Sequence, residues 1–198
     1  MQVVNGLPEH LKPQAVELYW QAFGGKLGRV LGPESLAHAY LLRVLRPDHC
    51  ICALSEDGTL LGIAGFKSPY GSLAGGETED MHAIYGRLGS LWRRALLGLL
   101  KTEIDNERFL IDGICVAPSV RGQGIGGRLV LALIDEAQSR GYGAVRLEVV
   151  DTNIRARMLY ERLGFAPWRS QTLGVLRHVF GFSRAVTMVF PLPPRTGA

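Results

Sequence analysis

The chain has 198 residues, 47% of them hydrophobic and 20% charged, with 22 basic against 18 acidic side chains and a formal charge of +4. That length and balance describe one globular domain over 1–198 that can bury a core without staples. The mild basicity (pI ≈ 9.1) suits a small anionic ligand. It excludes a nucleic-acid partner, since no dense Lys/Arg run with interleaved aromatics occurs, and no run approaches the roughly 18 apolar residues of a membrane span.

The elements follow in chain order. Val3 and Val4 suggest a short first strand. Leu11, Ala15, Leu18, Tyr19 and Ala22 recur on one helical face, which predicts a helix over 8–23 ended by Gly24-Gly25. Residues 26–32 then read as a loop. Pro33 opens a second helix that stops before Pro47. Residues 50–54 and 59–67 form an expected hairpin about Ser55-Glu56-Asp57-Gly58, followed by a loop over 68–76. Residues 77–103 read as a helix broken near Gly86 and Gly89. Its basic, amphipathic stretch 91–101 suits packing on the domain, or on a second copy as a homodimer, better than lying on a membrane.

The three cysteines, Cys50, Cys52 and Cys115, all lie in apolar, strand-like surroundings, as buried reduced thiols do. No basic, then apolar leader opens the chain, so a cytoplasmic location is expected. His10, His38, His49, His82 and His178 show no paired spacing, so no metal site is expected.

The stretch 109–165 organises the rest. Residues 109–116 are apolar and bounded by Pro118, as a buried strand would be. Then comes Arg121-Gly122-Gln123-Gly124-Ile125-Gly126-Gly127. Ile125, Leu129, Leu133 and Ala137 follow at helical spacing up to Arg140, where Gly141 stops the turn. Residues 144–150 alternate, with Val145, Leu147 and Val149 on one face and Arg146 and Glu148 on the other. Asp151-Thr152-Asn153 caps a helix that Gly164 ends. Residues 165–172 and 185–190 read as the last strands. The apolar connection 173–184 is a candidate short helix, and 191–198 a tail.

Glycines before a helix let backbone N–H groups approach a bulky anion, and the helix start adds unpaired donors and a positive dipole end. That combination binds phosphate. A Walker loop would end in Gly-Lys-Ser/Thr, but Arg128 follows Gly127. Gly122, Gly124 and Gly127 satisfy the dinucleotide pattern G-x-G-x-x-G literally, with Glu148 as the later acidic residue. However, 117–121 separate strand and glycine there, and too little chain follows for a doubly wound sheet.

Arg121-x-x-Gly124-x-Gly126, with Val116-Ala117-Pro118 ahead of it, resembles the pyrophosphate loop of the GNAT N-acetyltransferase superfamily. Asn153, Ala156, Leu159-Tyr160-Glu161 and Leu163-Gly164-Phe165 resemble the family's second signature, at similar spacing. The resemblance spans about 109–166. It implies an α/β (α+β) fold: a mixed six- to seven-stranded central sheet flanked by helices, splayed between strands 4 and 5. It also implies acetyl-CoA as cofactor and direct acetyl transfer to a primary amine of a small molecule or a protein N-terminus.

The resemblance places the pyrophosphate on Arg121, Gly122, Gln123, Gly124, Ile125, Gly126 and Gly127. Backbone groups of Ile114, Cys115 and Val116 would meet the pantetheine arm and the thioester, and Asn153 and Ala156 would also touch the coenzyme. Tyr160 stands where the family often has an acid for the leaving sulfur; packing under the sheet is its alternative role. Glu148 sits as the base glutamate does in ribosomal-protein N-terminal acetyltransferases, partly desolvated; pairing with Arg146 is the alternative. Asp112 is a second base candidate, or a structural strand-end residue. A non-catalytic acyl-CoA-binding regulatory module on the same fold is the rival function. Acceptor choice would be written in 26–32, 68–89 and 173–184.

Overall fold

The computed structural model describes residues 1–98 and 107–193. In chain order the elements are β1 (Gln2–Asn5), α1 (Lys12–Leu31), α2 (Glu34–Val44), β2 (Cys50–Leu54), β3 (Leu60–Ser68), β4 (Gly71–Ser72), α3 (Thr78–Gly98), β5 (Arg108–Val116), α4 (Ile125–Ser139), β6 (Ala144–Val150), α5 (Ile154–Arg162), β7 (Ala166–Thr172), α6 (Arg177–Phe180) and β8 (Arg184–Pro191). They build an 8-stranded mixed sheet in the order β1-β2-β3-β5-β6-β8-β7, with the short β4 paired to β3.

Strand alternation assigns the two faces. On one, Ala64, Phe109, Ile111, Val145, Leu147 and Val149 pack against Ile125, Leu129 and Leu133 of α4 and Tyr160 of α5. On the other, Cys50, Cys52, Ile63 and Cys115 pack against Ala15 and Leu18 of α1 and Leu41 of α2. All three thiols are free and buried.

The pair β5/β6 is parallel and short. Only Arg108↔Ala144, Phe109↔Val145 and Leu110↔Arg146 are in register. β5 stays paired with β3 as far as Val116, while β6 is paired along its length with β8. The two half-sheets therefore part from Ile111 onward. Leaving out the two-residue β4, these are the fourth and fifth strands, so the splay lies where it was expected.

Several local expectations are corrected. α1 does not stop at Gly24-Gly25, and 26–32 is not a loop: the helix runs on to Leu31. The Trp20 ring lies on Gly24 and Gly28; a Cβ at Gly24 would stand 3.0 Å from its Cε2 and one at Gly28 3.9 Å from its Cη2. Each glycine costs a helix about 1 kcal/mol. Burial of Val30 and Leu31 beyond them offsets that cost. The tail also begins later than expected. Pro191 closes β8, and buried Leu192 donates its N–H to the Gly143 carbonyl at 2.9 Å. Residues 194–198 lie outside the described residues, as do 99–101 of the basic stretch. α3 breaks at Gly86 (φ 68°, ψ 173°), as expected, but stays helical at Gly89. Among the described residues no helix is long and apolar enough to cross a membrane.

One glycine on the sheet yields a stability prediction. A Cβ at Gly65 would lie 2.7 Å from the Cβ of Leu73. Leu73 is buried, and its carbonyl is held by the Arg46 N–H at 2.9 Å, so it cannot slide away. Gly65→Ala should cost about 1–3 kcal/mol through overpacking. A thermal melt that matches wild type would contradict this.

Candidate active site

The glycine loop starts where β5 ends. Residues 118–120 make one 3-10 turn, and the chain then enters α4 through Gly122 (φ 84°) and Gly124 (φ 81°). Both sit in the left-handed region that residues with a Cβ avoid. Gly124 is the N-cap of α4 and offers no side-chain acceptor to the helix. Residues 121–124 are exposed. The first-turn N–H groups thus lie at an open, positive helix end.

Gly126 and Gly127 have a different job. A Cβ at Gly126 would meet Leu159 of α5 at 3.4 Å and Val116 at 3.8 Å, so these glycines let α4 start close against α5 and the end of β5. Arg121 folds back, its Nε donating to the Val116 carbonyl at 3.0 Å. The donor set fits a diphosphate: bare amides, a dipole end and a guanidinium at the rim.

On α5, Asn153 Oδ1 accepts the Ala156 N–H at 3.2 Å and caps the helix. Tyr160, further along, is only 8% exposed and stacks on Phe165 with ring centroids 6.0 Å apart. Burial pushes its phenol up to about 12, and the nearby Cys115 thiol adds to the rise. Tyr160 is therefore protonated at any ordinary pH. Burial also pushes the Cys115 thiol up, so no thiolate forms there at neutral pH.

A cleft of about 600 Å³ opens on the α1 side, where β5 leaves β6. Asp112 of β5 and Glu148 of β6 line it, with Lys67 and Arg146. Asp112 is ion-paired with Lys67 Nζ at 3.2 Å. Glu148 stands beside Thr187 of β8, which in turn stands beside Arg169 of β7. Two sequence expectations change here. Glu148 is exposed instead of partly desolvated, and among the described residues it makes no ion pair, with Arg146 or otherwise. Arg146, read as an outward-facing residue of its strand, is buried.

The sequence-predicted residues therefore fall into two groups. Asp112 and Glu148 share the cleft. The glycine loop, Asn153 and Ala156 lie at the starts of α4 and α5, and Tyr160 in the last turn of α5; none of them lines the cleft. Tyr19, Phe23, Lys67 and Arg169 line the cleft without having stood out in sequence, while Lys26 and Leu173 line it from two of the stretches expected to govern acceptor choice.

Residues 13–165 match the model of the Acetyltransferase (GNAT) family. The chain belongs to the GNAT acetyltransferase family. Over 61 residues it is 46% identical to streptothricin acetyltransferase of Streptomyces lavendulae, covering 31% of this chain and 32% of that protein. Over 64 residues it is 39% identical to the ribosomal protein bS18-alanine N-acetyltransferase of Escherichia coli K12, covering 32% and 43%. The chain thus spans about a third to two fifths of the length of these curated relatives. A Salmonella typhimurium protein solved with its cofactor acetyl-CoA has the same GNAT fold, at TM-score 0.60 and 16% identity, over 100% of this chain and 97% of that one.

Proposed function

We propose that this GNAT protein is an N-acetyltransferase that moves the acetyl group of acetyl-CoA directly to a primary amine of a small molecule or a protein N-terminus. One observation carries this: the sheet parts between β5 and β6, with a bare helix start on one side and a cleft holding two carboxylates on the other. Acetyl-CoA supplies the activated acyl group. Residues 121–127 would hold its diphosphate. The edge of β5 past Leu110, which faces no strand partner, would offer the backbone groups of Ile114, Cys115 and Val116 to the amides of the pantetheine arm. Asn153 and Ala156 border the same place. The three free thiols suit a reducing, cytoplasmic setting.

Chemistry at the amine needs a proton removed, because an ammonium has no lone pair. Glu148 faces solvent in the cleft without an ion pair among the described residues. It can take that proton and pass it to water. Asp112 is the weaker candidate, being already engaged by Lys67. Cys115 is no nucleophile, since it is buried and its thiol is pushed up, which favours direct transfer over an acyl-cysteine.

Tyr160, with its phenol near 12, suits a specific duty. Handing its proton fully to a thiolate, whose acid form lies near 8.5, is uphill. Donating a hydrogen bond to the sulfur as charge develops is not. Tyr160→Phe keeps the ring packing and removes that donor. Turnover should fall by about 10²-fold, with acetyl-CoA affinity nearly unchanged. Wild-type turnover, measured where chemistry limits the rate, would return Tyr160 to a packing role.

The function itself is tested by thiol release from acetyl-CoA across a panel of amines. Tight acetyl-CoA binding with no turnover on any amine would favour the non-catalytic acyl-CoA-binding module.

A further inference from the structure

Among the described residues, more cationic than anionic side chains line the cleft. Lys26, Lys67, Arg146 and Arg169 line it against Asp112 and Glu148. Lys67 is matched by Asp112 at 3.2 Å, and Glu148 is needed for the acceptor's amine. Arg146 has an interaction of its own, which leaves Lys26 and Arg169; Lys26 is the one whose surroundings are defined.

Lys26 lies on α1 and is half-buried. Its Nζ sits between two rings, 5.7 Å from the centre of Phe23 and 5.8 Å from that of Phe182. Among the described residues no carboxylate pairs with it, and desolvation alone lowers its pKa. The rings return part of the lost hydration through cation–π attraction, but they supply no hydrogen-bond acceptor for its N–H groups. The support is rigid. Phe23 lies on β5 at Gly113, where a Cβ would come within 2.7 Å of Phe23 Cζ, and its other neighbour is Tyr19, with ring centroids 4.6 Å apart. A cation held in place, partly dehydrated and, among the described residues, without an anionic partner in a ligand-sized cleft is built to receive an anion.

Given the acetyl-transfer function proposed above, on which this rests, we infer that the acceptor carries a carboxylate or a phosphate besides its amine, and that Lys26 binds that group. The amine then points to Glu148 and the anion to Lys26, with Arg169 lining the same cleft. A polyamine fits poorly. Beyond its reacting amine it would bring further cations toward Lys26 and Arg169, with Asp112 already neutralised.

The test uses matched pairs of amines that differ in the anion: 4-aminobutyrate against butylamine, phenylalanine against phenylalaninamide, and phosphoethanolamine against ethanolamine, with spermidine as the polycation. Wild type should prefer the anionic member of at least one pair by about tenfold or more in kcat/KM. In Lys26→Met, which keeps the apolar stem, that ratio should fall toward one, mainly through KM. Lys26→Arg should retain the preference. The carboxylate and phosphate pairs separate the two anion types.

The inference is overturned if wild type prefers the neutral members or spermidine, if it shows no charge preference in any pair, or if Lys26→Met leaves the preference intact. If no amine is acetylated, calorimetric titration of the same pairs into the CoA-bound protein decides the matter by the same ratios. Failure of acetyl transfer and failure of anion recognition are thereby read separately.

Discussion

Gly124→Val should lose acetyl-CoA binding by about 100-fold or more while the protein stays folded. At φ 81° and ψ 0° a β-branched residue is strained by about 1–3 kcal/mol. A domain of this kind has roughly 5–15 kcal/mol in hand, and nothing lies within 4 Å of a Cβ built there. The core is therefore untouched. The loop can relieve the strain only by turning its amides, and the added branches stand in the open space before the helix start. Losing two hydrogen bonds to a charged group, at about 1.5–3 kcal/mol each, accounts for the size of the effect. Gly126→Ala is the comparison. Its Cβ makes ordinary contact with Leu159, so its fold should be intact and its binding loss smaller. Calorimetry on Gly124→Val with wild-type affinity, beside a normal melt, would remove the diphosphate from this loop.

Glu148→Gln should lower kcat/KM by about 10²–10⁴-fold at neutral pH and recover in part at high pH. The amide keeps the shape of the side chain in the cleft but cannot take a proton. As pH rises toward the amine's own pKa, near 10 for a lysine-like amine, more acceptor is already neutral and the base matters less. Asp112→Asn should be milder, and part of its effect should come from freeing Lys67. If Asp112→Asn loses the rising limb of the pH profile while Glu148→Gln keeps it, the base is Asp112. If neither changes the limb, the proton leaves through water.

The parts of the site that the sequence displays are the local ones. The bare N-terminus of α4 depends on Gly122, Gly124 and their immediate neighbours, so a few consecutive residues suffice to describe it. Asn153 capping Ala156 is equally local. The cleft is different. Lys26, Lys67, Arg146 and Arg169 come from α1, β3, β6 and β7, and only the sheet order brings them together; no spacing along the chain announces it. The α1 boundary failed for a related reason. Gly24-Gly25 is strong stop chemistry by itself, but the Trp20 ring packs on bare Gly24 and Gly28, and buried Val30 and Leu31 hold the helix beyond them. The exposure of Glu148 was hidden as well, since alternation tells which face a residue takes but not what covers that face.

The parting of β5 from β6 has a cost as well as a use. Past Leu110 and Arg146 it leaves two strand edges inside the molecule that no longer pair with each other, and such edges are templates for foreign strands. The side chains set at the opening are Asp112, Arg146 and Glu148, and charges at an edge discourage that pairing. The carboxylates proposed for amine chemistry are therefore also expected to discourage such pairing. A variant that neutralises both should be less soluble as well as slower, and a ligand lying along β5 should restore its solubility.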